Sequence, residues 1–533
     1  PITYDKATGG GTTAFSLGQK CNADDQLASH TYPDGSQQSY TYDKGHLSQI
    51  TLPDQSQISY GNYQWNAPGQ ITTPGATKTL AYDALQRHTR IEVKNNSNNN
   101  TSQLLALKTY QYDLADNITQ IDSDLGSTQY GYDKLSRLTQ ATPDNNLKSL
   151  GLPQEQYGYD PVGNRTSSGH QPGAWSYNAD NQLTQYPYTT PFSGAAPADT
   201  RVSFTAQGHT VQEKSGAWQR DYRYNAAERL IETSQNGQTT SYRYDPFGRR
   251  ISKTAGSGAA STTTYFLYSD TGLLAEADSQ GNLTKAYGFN PKAAQQGLWS
   301  TDPIWQANVM GNSLTNSTTS YHYLHTDHLA TPVLATDKAG NATWKGASEA
   351  FGATMPTIEA TEMNLRFPGQ YWDRETNTHY NFHRDYLPGV GRYLQGDPIG
   401  VDGGLNIFAY ADANPVIKGD PNGRHPVVVI LIIYGKLVLR CELIHQSYKH
   451  LESNVCRRCG GDCDPTEAAA NCACWASVVQ LRKNYLKGKC DYILPGSIAK
   501  GSKKAEQSHN FELTKTIQAR NKCCGKALLD SID

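Results

Sequence analysis

A mainly β fold built from stacked hairpins is predicted by three features of the chain. Its aromatic residues are mostly tyrosine, its turn formers are abundant, and a short unit recurs along its first half. Among 533 residues stand 34 Tyr against 11 Phe and 8 Trp, with 47 Gly and 25 Pro, while the hydrophobic share is only 37%. Such a composition reads as many short strands and turns, not helices. A chain of this length exceeds one ordinary core, so several domains or a repeat architecture are expected. It opens on Pro with no signal peptide ahead of it, which reads as a fragment whose own start lies upstream.

The recurring unit supplies the elements in order. YTYDKGHLSQI carries Asp43; LAYDALQRHTRI, YQYDLADNITQI and YGYDKLSRLTQA carry Asp83, Asp113 and Asp133. YGYDPVGNRTS, WSYNADNQLTQ, YRYNAAERLIE and YRYDPFGRRISK follow with Asp160, Asn178, Asn225 and Asp245. Spacings of 20, 27, 18 and 20 recur. Each unit alternates aromatic and polar side chains up to an Asp or Asn turn, then resumes as a β-type run, which describes a hairpin. One hairpin buries too little apolar surface to offset chain ordering, whereas a stack pairs every edge and shares one aromatic layer. So polar a sheet has few candidates for a dense core, and its second face is expected to line water or a cavity.

Past Arg424 the chain changes character. Residues 425–533 hold 16 Lys and Arg against 10 Asp and Glu, a balance of +6, on a body of balance −8. Cys21 is the lone cysteine before Arg424, and nine follow it.

The repeat units resemble the YD repeats of Rhs proteins and of the C components of insecticidal ABC toxin complexes, over residues 1 to about 424. YLHTDHLATPVLATDKAGNATW from Tyr323 and LRFPGQYWDRETNTHYNFHRDYLPGVGRYLQGDPIG from Leu365 resemble the Rhs core-associated region. The resemblance implies a β-sheet spiralling into a hollow shell around a C-terminal effector. It divides the chain into repeat shell (1–320), core-associated autoproteolytic region (321–424) and a small, α-rich, cysteine-rich effector (425–533).

Two Asp-Pro pairs, Asp397-Pro398 and Asp420-Pro421, stand 23 residues apart beside that change of character. Asp-Pro followed by Gly is a good turn former and needs no catalytic role. Carboxylates brought together cannot both ionise cheaply, however, so such a pair offers an acid and a base at once. The resemblance implies the second use, with self-cleavage just after a DPxGL motif. Asp397 and Asp420 fit its two aspartate positions, and Arg424–His425 becomes the scissile bond. Arg424 stands where the family has Leu, a departure expected to slow or shift cleavage. Arg392, five residues before Asp397, is the candidate for orienting a carboxylate or the carbonyl.

His322, His325, Asp327 and His328 fall within seven residues, but strand alternation sends their side chains to opposite faces, so they read as structural and not as a metal site. No cofactor is expected. The apolar run Val427–Leu439 falls short of the 18–20 residues or so that span a bilayer and reads as a buried segment. Cys456, Cys459, Cys463, Cys472, Cys474, Cys490, Cys523 and Cys524 suit disulfides, with zinc ligation and free thiols as the alternatives. His509 and Glu512 share one face of a helical stretch near Lys500, Lys503, Lys504 and Arg520, as a base and orienting acid acting on a phosphodiester would; a solvated helix face is the plainer reading.

The expectation is therefore an Rhs-type toxin of bacterial competition, secreted and delivered into target cells. Its effector is first a nuclease acting on nucleic acid and second a membrane-active, pore-forming peptide. Its implied partners are an immunity protein and a type VI spike or toxin-complex machine. An uncleaved surface adhesin that binds carbohydrate through its Tyr faces is the reading from another class.

Overall fold

The computed structural model describes residues 2–5, 12–96, 102–189, 191–424 and 426–427. The chain divides into two compact units, Pro1–Ile433 and Tyr434–Asp533, and every described residue belongs to the first. That unit is almost entirely antiparallel β. A 14-stranded sheet runs from Gly18–Cys21 to Arg165–Ser168, and a 16-stranded sheet runs from Ser176–Tyr177 to Thr354–Glu359. In both, each strand pairs with its neighbours in the chain. A four-stranded sheet, Tyr371–Asp373, Thr378–Asn381, Arg384–Leu387 and Arg392–Tyr393, follows. The expected core-associated region thus begins within the second sheet, whose strand Ser320–Thr326 is flanked on both sides.

The repeats build the sheets through two recurring bonds. At the turn, Asp245 Oδ1 accepts from the amides of Phe247 and Arg249, both at 2.9 Å, and Oδ2 accepts from Arg249 Nε at 2.6 Å. Asp83 and Asp133 do the same with Arg87 and Arg137, and Asp113 and Asp160 with Asn117 and Asn164. The fourth residue of each turn takes the left-handed conformation: φ is +80° at Gly248 and +87° at Gly163. That explains why Gly recurs there, since a Cβ is disfavoured in this region.

The second bond fastens one hairpin to the last. The tyrosine just before the aspartate points its hydroxyl at a carbonyl of the preceding hairpin: Tyr82 to Pro68 at 2.8 Å, Tyr112 to His88 at 2.7 Å, Tyr132 to Ile118 at 2.7 Å, Tyr244 to Leu230 at 2.7 Å. Tyrosine serves where Phe would not, because it fills the shared layer and also satisfies a carbonyl at the edge of the stack.

Strand Gln37–Asp43 alternates exposed and buried positions, so one face meets solvent and the other packs. The packed faces form the dense cores that low hydrophobicity had argued against. Tyr32, Leu47, Ile50 and Ile58 of the first sheet share a cluster with Leu267, Trp305 and Tyr323 of the second. Tyr32 donates to the Tyr287 carbonyl at 2.9 Å, and Trp305 Nε1 donates to Gln38 Oε1 at 2.8 Å. Tyrosine and tryptophan supply the bulk that a count of aliphatic residues misses.

Candidate functional site

The four-stranded sheet and the loops after it gather the residues named from the sequence. Strand Arg384–Leu387 is buried throughout and opens on Arg384, whose side chain is 2% exposed. Asp397 follows the short strand Arg392–Tyr393 across one turn. Asp420 comes after the loop 404–418, which is tied back to the repeat turns: Asn406 Nδ2 donates to Asn164 at 2.8 Å and Asn414 Nδ2 to the Ser136 carbonyl at 2.7 Å.

Both aspartates use one oxygen for a turn and the other for Arg384. Asp397 Oδ1 accepts from the amide of Ile399 at 3.0 Å, and Asp420 Oδ1 accepts from the amide of Arg424 at 2.9 Å. The two Oδ2 atoms each lie 3.0 Å from Arg384 Nη2. Each aspartate thus forms its turn and also faces the shared guanidinium. The carboxylates are 3% and 1% exposed, so the guanidinium between them offsets a repulsion that water does not screen.

Further groups hold this arrangement. The Tyr393 hydroxyl donates to Asp420 Oδ2 at 2.9 Å, and the Arg384 guanidinium lies over the Tyr393 ring, 3.6 Å from its centre. Asn381 Nδ2 donates to the Tyr393 hydroxyl at 2.8 Å and to the Asp420 carbonyl at 2.7 Å. Arg384 Nη1 donates to the Ile407 carbonyl at 2.9 Å. Gly403 lies close by: a Cβ there would lie 2.5 Å from Asp397 Oδ2 and 3.0 Å from the carbonyl oxygen of Arg424. The Asp397 carboxylate and the carbonyl of the expected scissile bond thus flank the same bare Cα. Beside them, burial and then the charges of Arg229, Arg424 and Arg384 hold the His383 imidazole down to about 3, so it is neutral at pH 7. Burial pushes Asp385 up to about 6.

The Arg392 guanidinium donates to the Asn181 carbonyl at 2.7 Å and lies over Tyr177 and Phe408, which ties the loop to the repeats. Arg384, thirteen residues before Asp397, is the arginine that lies 3.0 Å from both carboxylates. Neither Arg384 nor Tyr393 stood out in the sequence, because spacing along the chain does not distinguish Arg384 from Arg392; the strand pairing Tyr386 with Tyr393 makes the difference.

Of the histidine group, His322 and His325 lie on the strand Ser320–Thr326, and Asp327 and His328 follow it. His322 Nδ1 meets Thr343 at 2.9 Å, His325 Nε2 meets Thr336 at 3.0 Å, and His328 Nε2 donates to the Val416 carbonyl at 2.6 Å. Asp327 pairs with Lys108 at 3.1 Å. Among the described residues no cluster of three His, Cys, Asp or Glu is placed to hold a metal ion. His425, His509, Glu512 and Cys456 to Cys524 lie outside the described residues.

Comparison with known proteins places this arrangement in context. The Teneurin YD-shell family matches residues 70–407, and the RHS Repeat family matches residues 22–61. The double-stranded DNA deaminase toxin A of Burkholderia cenocepacia is 30% identical over 72% of this chain and 27% of its own length. Toxin protein Tse5 of Pseudomonas aeruginosa is 28% identical over 63% of this chain and 28% of its own length. The chain thus spans about a quarter of the length of these curated relatives. In fold it resembles the Tc holotoxin pore of Photorhabdus luminescens, with a TM-score of 0.57 at 18% identity, over 78% of this chain and 21% of that one.

Proposed function

From the premise that the chain belongs to the Rhs YD-repeat family of polymorphic-toxin shells, we propose that it releases its own C-terminal segment by cutting the Arg424–His425 bond. The observation that carries this reading is the Arg424 carbonyl beside Asp397 Oδ2, with Asp420 joined to Asp397 through Arg384. One carboxylate takes a proton from water as the water oxygen adds to the Arg424 carbonyl carbon. A carboxylic acid then gives a proton to the His425 nitrogen as the C–N bond breaks, leaving an Arg424 carboxylate and a free amine. Arg384 keeps the two acids in register through both steps. The bond is tethered at its site, an arrangement whose effective molarity reaches roughly 10⁵ M or more in well-oriented cases, and one turnover is all that is needed.

In this reading residues 1–424 are wall and cleaving region, the wall encloses the segment that is cut, and residues 425–533 are the effector. A nuclease or other nucleic-acid enzyme is the first assignment for it, supported by the +6 balance of residues 425–533, by the His509 and Glu512 pattern, and by a relative named for DNA deamination. The apolar run Val427–Leu439 supports a membrane-active effector as the second. Delivery by a type VI spike or toxin-complex machine, and an immunity protein in the producing cell, belong to the same proposal.

The test is denaturing electrophoresis of the whole chain. Wild type gives a C-terminal species of about 109 residues whose first residue is His425, and Asp420→Asn and Asp397→Asn give one intact band. An intact wild-type band favours the adhesin reading and removes this one. The released piece is then offered nucleic acid and, separately, dye-loaded liposomes; inactivity on both eliminates both effector assignments.

A further inference from the structure

The turn carrying Asp420 is spelled like a repeat turn. Asp420-Pro421-Asn422-Gly423-Arg424 matches Asp245-Pro246-Phe247-Gly248-Arg249 at four of five places. In the repeat turns that run from Asp to Arg, the arginine bends back onto its own aspartate: Nε of Arg87, Arg137 and Arg249 each lies 2.6 Å from Oδ2 of Asp83, Asp133 and Asp245, whereas Arg229 of the Asn225 turn reaches to the Phe382 carbonyl. The strands then pair just outside the turn, as Tyr82 with His88, Tyr132 with Leu138 and Tyr244 with Arg250.

The Asp420 turn keeps the first half of this design. The Arg424 amide donates to Asp420 Oδ1 at 2.9 Å, as the Arg249 amide does to Asp245, and φ is +72° at Gly423 against +80° at Gly248. It abandons the second half. Among the described residues pairing resumes at Gly419 with Val427, two residues farther along the returning chain than in a repeat. Asp420 Oδ2 is taken by Arg384 and Tyr393. Arg424 Nε, which in a repeat would hold that oxygen, is buried without a hydrogen-bond partner among the described residues.

We propose that Arg424 sets the rate of self-cleavage by competing with Arg384 for Asp420 Oδ2. With Arg424 Nε turned away from Asp420 Oδ2, as here, Asp420 stays joined to Asp397 through Arg384. With Arg424 folded back, the repeat clamp is restored, Asp420 leaves the shared guanidinium, and the acid pair comes apart. The cleavage turn is then a repeat turn carrying its own brake. This rests on the self-cleavage reading above, and concerns how fast the cut occurs, not whether Asp397 and Asp420 make it.

The whole chain, made by cell-free translation and sampled over time on denaturing gels, tests it. Arg424→Leu and Arg424→Gln remove the clamp with side chains of opposite polarity, and both should release the fragment faster than wild type by a similar factor, about tenfold for loss of one charge-assisted hydrogen bond. Arg424→Lys, which has no Nε donor, should also exceed wild type. Acceleration by Leu but not Gln would mean that an apolar subsite governs the rate, and would overturn the proposal; so would rates unchanged or lowered in all three. Asp420→Asn separates the two claims: if it cuts normally the self-cleavage reading falls, whereas if it is silent and the Arg424 variants match wild type, the brake alone falls.

Discussion

Replacing Arg384 by Met keeps the length and much of the packing of the side chain while removing the guanidinium that lies between both acids. Its Nη2 is 3.0 Å from each Oδ2, so those oxygens are no more than about 6 Å apart. Two unit negative charges at that separation repel by about 3 kcal/mol at an effective dielectric of about 20. Removing one partner of a buried ion pair typically costs about 3–5 kcal/mol, and the Ile407 carbonyl also loses its donor. We therefore expect Arg384→Met to lose about 3–5 kcal/mol of stability at pH 7 and to stop fragment release. Urea unfolding followed by tryptophan fluorescence at pH 7 reads the stability, and denaturing gels read the release. A variant that releases at the wild-type rate, or is as stable as wild type, would refute the bridging role of Arg384.

Two more outcomes follow from the same contacts. Gly403→Ala puts a methyl 2.5 Å from Asp397 Oδ2 and 3.0 Å from the Arg424 oxygen; displacing either should slow release on the order of 10²-fold, read as the time course of the 109-residue band. Asp385 is buried with its acid pushed up to about 6 from 3.8, so the stability it contributes is fully present below about 3.8 and is lost as pH rises through about 6. Asp385→Asn, which can still accept from Gln395, should be more stable than wild type by about 2–3 kcal/mol at pH 7.5 and no more stable near pH 4, checked by urea midpoints across that range.

The repeat architecture was legible because its signals are local. Tyr244, Asp245, Gly248 and Arg249 lie within six residues, and every bond of the turn closes inside that window. The aspartate positions Asp397 and Asp420 were legible for a related reason, since Asp-Pro-x-Gly is a turn in its own right whatever else it does. A chain of such turns implies stacked hairpins wherever it folds, and the two long sheets follow.

The partner of those aspartates depended on packing between distant strands. Arg384 and Arg392 are both arginines close ahead of Asp397, and the linear text ranks the nearer one higher. The strand pairing Tyr386 with Tyr393 and Leu387 with Arg392 turns Arg384 toward the acids and Arg392 toward Asn181, Tyr177 and Phe408. The core posed the same difficulty: a count of aliphatic residues missed that Tyr32 and Tyr323 would be buried whole, because their hydroxyls find partners only once two sheets meet. Residue types and spacings set each hairpin and its turn, since those bonds span a few positions. Which charges face one another was settled by contacts between segments tens to hundreds of residues apart, whose geometry the order of residues does not contain.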